Sequence, residues 1–508
     1  MSQQPLISPA SEANQNLLDN VHPTDWSNPQ PAPCYNLVVL GGGPAGLVTA
    51  AGAAGLGARV ALVEKSLLGG DCLNLGCVPS KCLIRSGRAL HNARHNGSLG
   101  ILDVPNLQAD FSHVMARMQK VRAGLSDHDS ARRFSKELGV DVFLGEGRFT
   151  GPNRLQVGEQ TLAFKKAAIC TGARAAAPPI PGLEEAGFLT NETVFSLDKL
   201  PARLAVFGAG PIGCELAQSF ARLGSEVTIF EYGPRLLPRE DADAAEIIRQ
   251  TFVEEGLRLF FNVRTQKVER QGTERLIHYE YNGSKDILAV DQILVGVGRA
   301  PNVEGFGLKE AEVDYHPRSG IRVNDRLQTT NPRIFAAGDV CSLYKFTHSA
   351  DAQARIVIAN ALFLGRQRNS QLVIPWATYT SPEISHVGMY EKEARDRGFQ
   401  VHTLTVPLAD TDRAHIDSET QGFARVHLKK GTDKILGATI VAQHAGEMIG
   451  ELAMAVTNGL GLNAIGRTLH PYPTQAEVIK KLADAYQRSR LTPKLKKLLE
   501  LWLRWQRR

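Results

Sequence analysis

The sequence predicts an α/β protein built on two copies of one strand–loop–helix unit, followed by an α+β region. Three observations predict it. Glycine loops follow apolar strands at Gly41-Gly42-Gly43-Pro44-Ala45-Gly46 and at Gly208-Ala209-Gly210-Pro211-Ile212-Gly213. In both copies the last loop glycine lies 18 residues before an acid that ends the next strand, Gly46 before Glu64 and Gly213 before Glu231. From about Gln371 to about Tyr486 the texture changes to irregular strands and helices with no such loop.

Residues 1–34 are rich in Ser, Gln, Asn and Pro and show no hydrophobic period, so a disordered leader is expected there. Leu37-Val38-Val39-Leu40 reads as a buried strand. An Ala-rich helix comes after the first loop, and Arg59–Glu64 is the next strand. Arg203–Phe207, the helix Glu215–Leu223 and the strand Glu226–Glu231 repeat the plan. These elements divide the chain into a discontinuous domain at 35–165 and 290–370, a second domain at 166–289, and a third at 371–486. Residues 487–508 form a last helix, with Thr492 as N-cap and Pro493 in the first helical position.

Each loop carries a physical reason for its glycines. Gly41 and Gly208 permit the tight turn. Gly43 and Gly210 let a pyrophosphate approach the backbone. Gly46 and Gly213 let helix pack on strand. The helix N-terminus then offers N–H groups and a positive dipole to phosphate. Glu64 and Glu231 are placed to accept hydrogen bonds from a ribose. One such loop is weak evidence, but two with strand, helix and spaced acid imply two bound dinucleotides in Rossmann-like domains. An acid at Glu231 suits a free 2′-hydroxyl and repels a 2′-phosphate, which favours NADH over NADPH. Arg235, four residues on, reads either as a surface arginine or as a softening of that preference.

The segment Gly69-Gly70-Asp71-Cys72-Leu73-Asn74-Leu75-Gly76-Cys77-Val78-Pro79-Ser80-Lys81 is the sharpest feature. Two cysteines five apart, beside glycines and at a predicted helix start, can close a small ring. A helix N-terminus and a nearby cation favour thiolate, the reactive form. A zinc site would need two further ligands at compatible spacing, and none is near, so no metal site is expected.

Composition bounds the rest. The 508 residues carry seven cysteines and 43% apolar residues, which fits a globular multidomain protein and not a disulfide scaffold. The tail 487–508 holds eight basic residues and one acid, a net of +7. The total is +6, so the other 486 residues stand near −1. Nucleic acid is therefore not an expected partner. No Lys or Arg precedes Arg59, so neither a secretory signal nor a transit peptide is expected, and the cytoplasm is the expected location. The tail helix carries Leu495, Leu498, Leu499, Trp502 and Trp505 on one face and Lys496, Lys497, Arg504, Arg507 and Arg508 largely on the other. It reads either as a peripheral membrane contact over 491–508 or as a helix docked on the protein's own dimer.

Cys-x4-Cys-Val-Pro-Ser-Lys between two glycine loops resembles the class I pyridine nucleotide–disulfide oxidoreductases. Thr171-Gly172-Ala173, Val295-Gly296-Val297-Gly298-Arg299-Ala300-Pro301-Asn302, Ala336-Ala337-Gly338-Asp339 and Trp376-Ala377-Thr378-Tyr379-Thr380-Ser381-Pro382-Glu383 resemble further motifs of that family. The resemblance implies FAD in the discontinuous domain 35–165 and 290–370, the nicotinamide dinucleotide in 166–289 and dimerisation through 371–486, with Asp339 holding the ribityl chain and Thr171, Gly172 and Gly298 at the crossings between domains. It implies a homodimer. It makes Cys72 the thiol that meets substrate and Cys77 the thiol beside the flavin, with Lys81 and Glu215 a buried pair near the flavin's reactive nitrogen. A lysine there suits reduced flavin, because it offsets negative charge.

One departure directs the substrate reading. Dithiol-reducing members place His before Pro-Thr, five residues ahead of Glu. Here the residue before Pro473-Thr474 and five before Glu477 is Tyr472, and His470 comes two residues early. A phenol of ordinary pKa about 10 is a poor base at neutral pH. Tyr in that place resembles mercuric reductase, although the cysteine pair near that enzyme's C-terminus is missing and the last cysteine is Cys341. Metal would have to reach Cys72 and Cys77 directly, or through another thiol such as Cys82. Asp71 replaces the family's usual Thr. The expected activity is a flavoprotein NAD(P)H oxidoreductase passing electrons to Hg(II) or a small disulfide. The alternatives are dihydrolipoamide dehydrogenase and a membrane-associated diaphorase or quinone reductase.

Overall fold

A computed structural model describes residues 7–102 and 106–507. The described chain forms two compact units. One comprises the residues up to Leu237 together with Phe252–Leu372, and the other Pro238–Thr251 with the residues from Val373 onward.

The first unit contains both predicted copies. In the first copy the parallel strands Asp141–Leu144, Val60–Glu64, Tyr35–Leu40 and Gln160–Ile169 lie side by side in that order, and Ile334–Ala336 joins the last of them in parallel. Leu37, Val38 and Val39 have no exposed surface, as an apolar run covered on both faces requires. In the second copy Arg258–Phe261, Glu226–Glu231, Arg203–Phe207 and Gln292–Val295 form an all-parallel sheet. The antiparallel strands Arg264–Gln271, Glu274–Tyr281 and Ser284–Val290 flank it.

Four expectations need correction. The segment read as a disordered leader is ordered from residue 7, its first six residues lying outside the described part. Ser11 caps a helix, Glu12–Val21, accepting from the Asn14 N–H at 3.2 Å. Leu17 and Val21 are fully buried in the first core. They are spaced i and i+4, so one face of a short helix carries them, and the polar composition around them concealed that spacing. Further along, Asn28 pairs both ways with the Leu144 backbone, at 3.0 and 2.8 Å, on the sheet's outer strand. The boundary at 166 moves later, because Gln160–Ile169 pairs wholly within the first sheet. The boundary at 290 also moves, because Gln292–Val295 pairs with Arg203–Phe207. The chain therefore crosses between sheets at about 170–172 and 296–298. Finally, Pro238–Thr251 belongs with the second unit: Glu240, only 4% exposed, accepts from Trp376 Nε1 at 3.0 Å and from the Tyr390 hydroxyl at 2.6 Å.

The second unit is a five-stranded antiparallel sheet. Its strands run Trp376–Thr378, Glu383–Gly388, Ile435–Ala442, Phe423–Lys429, Val401–Pro407 across the sheet. Helices Ala445–Thr457 and Glu477–Arg490 contribute Met448, Ile449, Leu452, Val478, Ile479 and Leu482 to its core. The last helix, Pro493–Gln506, begins as predicted, with the Thr492 hydroxyl accepting from the Leu495 N–H at 3.3 Å.

Candidate active site

Both glycine loops are fixed by contacts that a side chain would break. A Cβ at Gly46 would fall 1.8 Å from the Gly41 carbonyl oxygen, and one at Gly213 would fall 2.1 Å from that of Gly208. Gly41 and Gly208 hold φ of +108° and +97°, a region costly for any residue with a Cβ. A Cβ at Gly43 would meet nothing closer than 3.8 Å, and one at Gly210 nothing within 4 Å. The backbone there faces open space. Gly43 and Gly210 begin the helices Pro44–Gly55 and Pro211–Leu223, and no side chain caps either helix. Their first N–H groups stay free for an anion.

The two acids repeat one another as well. Glu64 accepts from the Gly42 N–H at 2.5 Å and the Ser66 N–H at 2.7 Å. Glu231 accepts from the Ala209 N–H at 2.7 Å and the Gly233 N–H at 2.6 Å. Each carboxylate is thereby aimed along its loop, where a ribose would meet it. Burial pushes the Glu64 carboxyl upward while its backbone donors pull it down. Arg235 donates to the Leu237 carbonyl at 3.0 Å, turned onto its own loop. Open approach at Gly43 and Gly210, uncapped helix ends and loop-directed acids fit two dinucleotides.

The cysteine segment comes directly after the first acid. Gly69 and Gly70, with φ of +88° and +55°, turn the chain into a short helix, Gly70–Asn74, that carries Cys72. Gly76 then starts the helix Cys77–Arg94 with Cys77 as its first residue. Cys72 and Cys77 are free thiols joined by a hydrogen bond. Cys77 Sγ also lies 3.4 Å from the Thr347 hydroxyl. That bond from Cys72 brings the Cys77 thiol down to about 6. Burial opposes it, while Thr347 and the Lys81 ammonium assist. Donating the bond, together with burial, pushes Cys72 upward. The opposite directions of the two shifts make Cys77 the more acidic thiol of the pair.

Lys81 is one turn after Cys77 and reaches Glu215 at 2.7 Å. Glu215 lies on the helix of the second loop, and its side chain is 7% exposed. This pair joins the two copies beside the thiols. Thr171, Gly172 and Gly298 stand at the crossings. Thr171 Oγ1 donates to the Asn302 carbonyl at 2.9 Å, Gly172 O accepts from the Asn302 N–H at 3.0 Å, and Gly298 holds φ +139°. Asp339 is raised by burial and pulled down by Arg299 and Lys345.

Several partners had no sequence signal, because they come from distant segments. Asp71, which would oppose a neighbouring thiolate, is ion-paired with Arg299, and that guanidinium also reaches Asp339 at 3.4 Å and the Ala173 carbonyl at 2.6 Å. Its negative charge is thus met by a cation. Arg122, 2% exposed, bonds the Asn74 carbonyl at 2.8 Å and Asn14 Oδ1 at 2.7 Å. It braces the cysteine turn against the N-terminal helix. Cys82 is 8% exposed and burial pushes its thiol up. A buried, protonated thiol is poorly suited to hand on a metal.

Tyr472 and Glu477 belong to the second unit. The Tyr472 hydroxyl donates to Asp412 at 2.7 Å, and that bond raises the phenol. Glu477 opens the helix Glu477–Arg490 and meets Lys481 at 3.5 Å, while its Oε2 is buried with no hydrogen-bond partner among the described residues. His470, its side chain 6% exposed, bonds Glu451 at 2.9 Å, which suits a structural pair. Among the described residues no cluster of three or more His, Cys, Asp or Glu could hold a metal ion.

Known proteins resemble this chain in sequence and fold. The family described as pyridine nucleotide-disulphide oxidoreductase matches residues 35–354, and its dimerisation domain matches residues 374–483. A mercuric reductase of Staphylococcus aureus is 36% identical over 457 residues, 89% of this chain and 83% of that protein. A dihydrolipoyl dehydrogenase of Thermus scotoductus is 33% identical, over 89% of this chain and 97% of that one. Among solved structures, the HOCl-induced flavoprotein disulfide reductase RclA of Escherichia coli superposes with a TM-score of 0.79 at 29% identity, covering 89% of this chain and 99% of that one.

Proposed function

The chain belongs to the pyridine nucleotide-disulphide oxidoreductase family, and from that premise we propose that it reduces a metal ion such as Hg(II), or a small disulfide, at Cys72 and Cys77 with NADH as the preferred donor. The family makes it an FAD-dependent oxidoreductase using NAD(P)H, and the matched dimerisation domain supports a homodimer. FAD, when bound, supplies the two-electron relay between nicotinamide and the cysteine pair.

The protein's own residues divide the remaining work. The Cys77 thiolate is held at a helix N-terminus with Thr347 and Lys81 nearby. Cys72 is the thiol offered to the acceptor, and it gives up its proton as its sulfur bonds the metal or the disulfide. Glu215 holds Lys81 in place beside them. Glu231, held by the N–H groups of Ala209 and Gly233, favours an unphosphorylated ribose. With Hg(II), two electrons leave NADH, a proton is released and the metal leaves as Hg(0). With a disulfide, NADH and a proton convert it to two thiols.

The observation that carries the choice of acceptor is Tyr472. Its hydroxyl is committed to Asp412 and its pKa is raised, so it stays protonated at neutral pH and can donate a hydrogen bond but not act as a base. Dihydrolipoamide oxidation needs a base at that step, and metal reduction does not. Steady-state assays of the FAD-bound dimer with Hg(II), oxidised glutathione and dihydrolipoamide decide between them. We expect turnover with Hg(II) or the disulfide and, for dihydrolipoamide, a rate lower by about 10²–10⁴, the usual contribution of general acid–base catalysis. Replacing Tyr472→His should recover part of the dihydrolipoamide activity. Efficient dihydrolipoamide oxidation by the unaltered protein would reverse the assignment.

A further inference from the structure

The last helix has no use in the redox chemistry, and its surface is amphipathic. Pro493–Gln506 is 14 residues long, about 21 Å. Every one of its residues is exposed. Leu495, Leu498, Leu499, Leu501, Trp502, Leu503 and Trp505 are 41–65% exposed. At 3.6 residues per turn these seven side chains occupy an arc of about 200° that also takes in Lys494 and Gln506, at the two ends of the helix. Lys496, Lys497, Arg504 and Arg507 share the opposite arc with Glu500, the helix's one acid. Trp502 and Trp505 lie ring to ring at 5.2 Å within the apolar arc.

Such an arc does not stay in water without an occupant. Among the described residues no helix is long and apolar enough to cross a membrane, and the cationic half of this one would forbid it. A helix with a wide apolar face, tryptophans within it and cations opposite lies in the plane of a bilayer interface. Charge selects the bilayer. The remainder of the chain is near −1, so a second copy offers no strong negative field to this cationic face, whereas an anionic lipid surface does. We propose that residues 493–507 attach the protein peripherally to an anionic membrane, with the leucines and tryptophans in the acyl–headgroup boundary and Lys496, Lys497, Arg504 and Arg507 among lipid phosphates. This goes beyond the redox reading and does not depend on it.

The test uses the full-length, FAD-bound protein in sedimentation with vesicles of phosphatidylglycerol and of phosphatidylcholine. The protein should pellet with the first and not the second, and salt should weaken the binding. Tryptophan emission should shift to the blue on binding, and Trp502→Ala with Trp505→Ala should abolish the shift, since Trp26 and Trp376 lie elsewhere. The triple change Lys496→Glu, Lys497→Glu, Arg504→Glu keeps good helix formers. It should reduce partitioning by at least a factor of roughly one hundred, at about 1 kcal/mol for each cation removed. Equal partitioning of all variants, or no pelleting of the unaltered protein with phosphatidylglycerol, would overturn the proposal. So would a chain ending at Arg490 that becomes monomeric, because the occupant would then be a second copy.

Discussion

The two glycine loops share a backbone and differ in the segments beyond them. Both place an acid on the second residue of the loop, at 2.5 Å for Glu64 and 2.7 Å for Glu231. Two residues after its last glycine, the first copy carries Val48, on an apolar helix packed against Ile356–Ile358 and its neighbours, and the second carries the buried Glu215. Five residues after its acid, the first copy turns at Gly69 into the cysteine segment. The second continues through Gly233 and Arg235. The duplicated parts have the shape that suits a dinucleotide; the parts that break the duplication, Cys72, Cys77, Lys81 and Glu215, are the ones gathered at one place. Divergence between copies therefore locates the chemistry better than either copy alone.

This contrast can be broken most severely at the thiols. Cys77→Ser should lower acceptor reduction by at least about a thousandfold, as loss of a nucleophile does. NADH should still bleach the flavin in a single turnover, since neither loop is touched. Next come the loops themselves. Gly46→Ala forces a Cβ against the Gly41 carbonyl and should yield protein purified without its yellow colour. Gly213→Ala should keep the colour and raise the KM for NADH roughly ten- to hundredfold, from an overpacking cost of about 1–3 kcal/mol. If both changes cost the same cofactor, the division of labour between the copies is wrong.

A smaller effect concerns the thiolate. Cys77 is brought down to about 6, so its charged form prevails above that pH and is lost below it. Alkylation by iodoacetamide should therefore rise through a midpoint near 6. Lys81→Met removes a cation and should move the midpoint upward by as much as about one unit. A midpoint that stays put would remove Lys81 from the thiolate's support. The smallest effect on turnover is expected in the N-terminal helix. Leu17→Ala should cost about 2–5 kcal/mol of stability in urea unfolding and change kcat little.

Glycine loops, spaced acids and the cysteine segment were legible in the sequence because each is local: its physics is contained in a short stretch of chain. What escaped is of two kinds. Thr347, Arg299 as partner of Asp71, Arg122 under Asn74, and Asp412 under Tyr472 are meetings of distant segments, which no local pattern encodes. The N-terminal helix escaped for another reason. Leu17 and Val21 are two apolar residues in a polar stretch, and their burial depends on the core they cap. The sheet boundaries near 166 and 290 shifted because a strand's membership is set by its pairing partners and not by its own residues.

The central claim is that Cys72 and Cys77 exchange an electron pair with the nicotinamide through the bound flavin. Anaerobic addition of NADH to the oxidised, FAD-bound protein, with thiols counted by a disulfide reagent, tests it most directly. Two new thiols per chain should appear, together with a long-wavelength absorbance band that fades as the pH falls through about 6. A flavin that bleaches with no change in the thiol count would contradict the account.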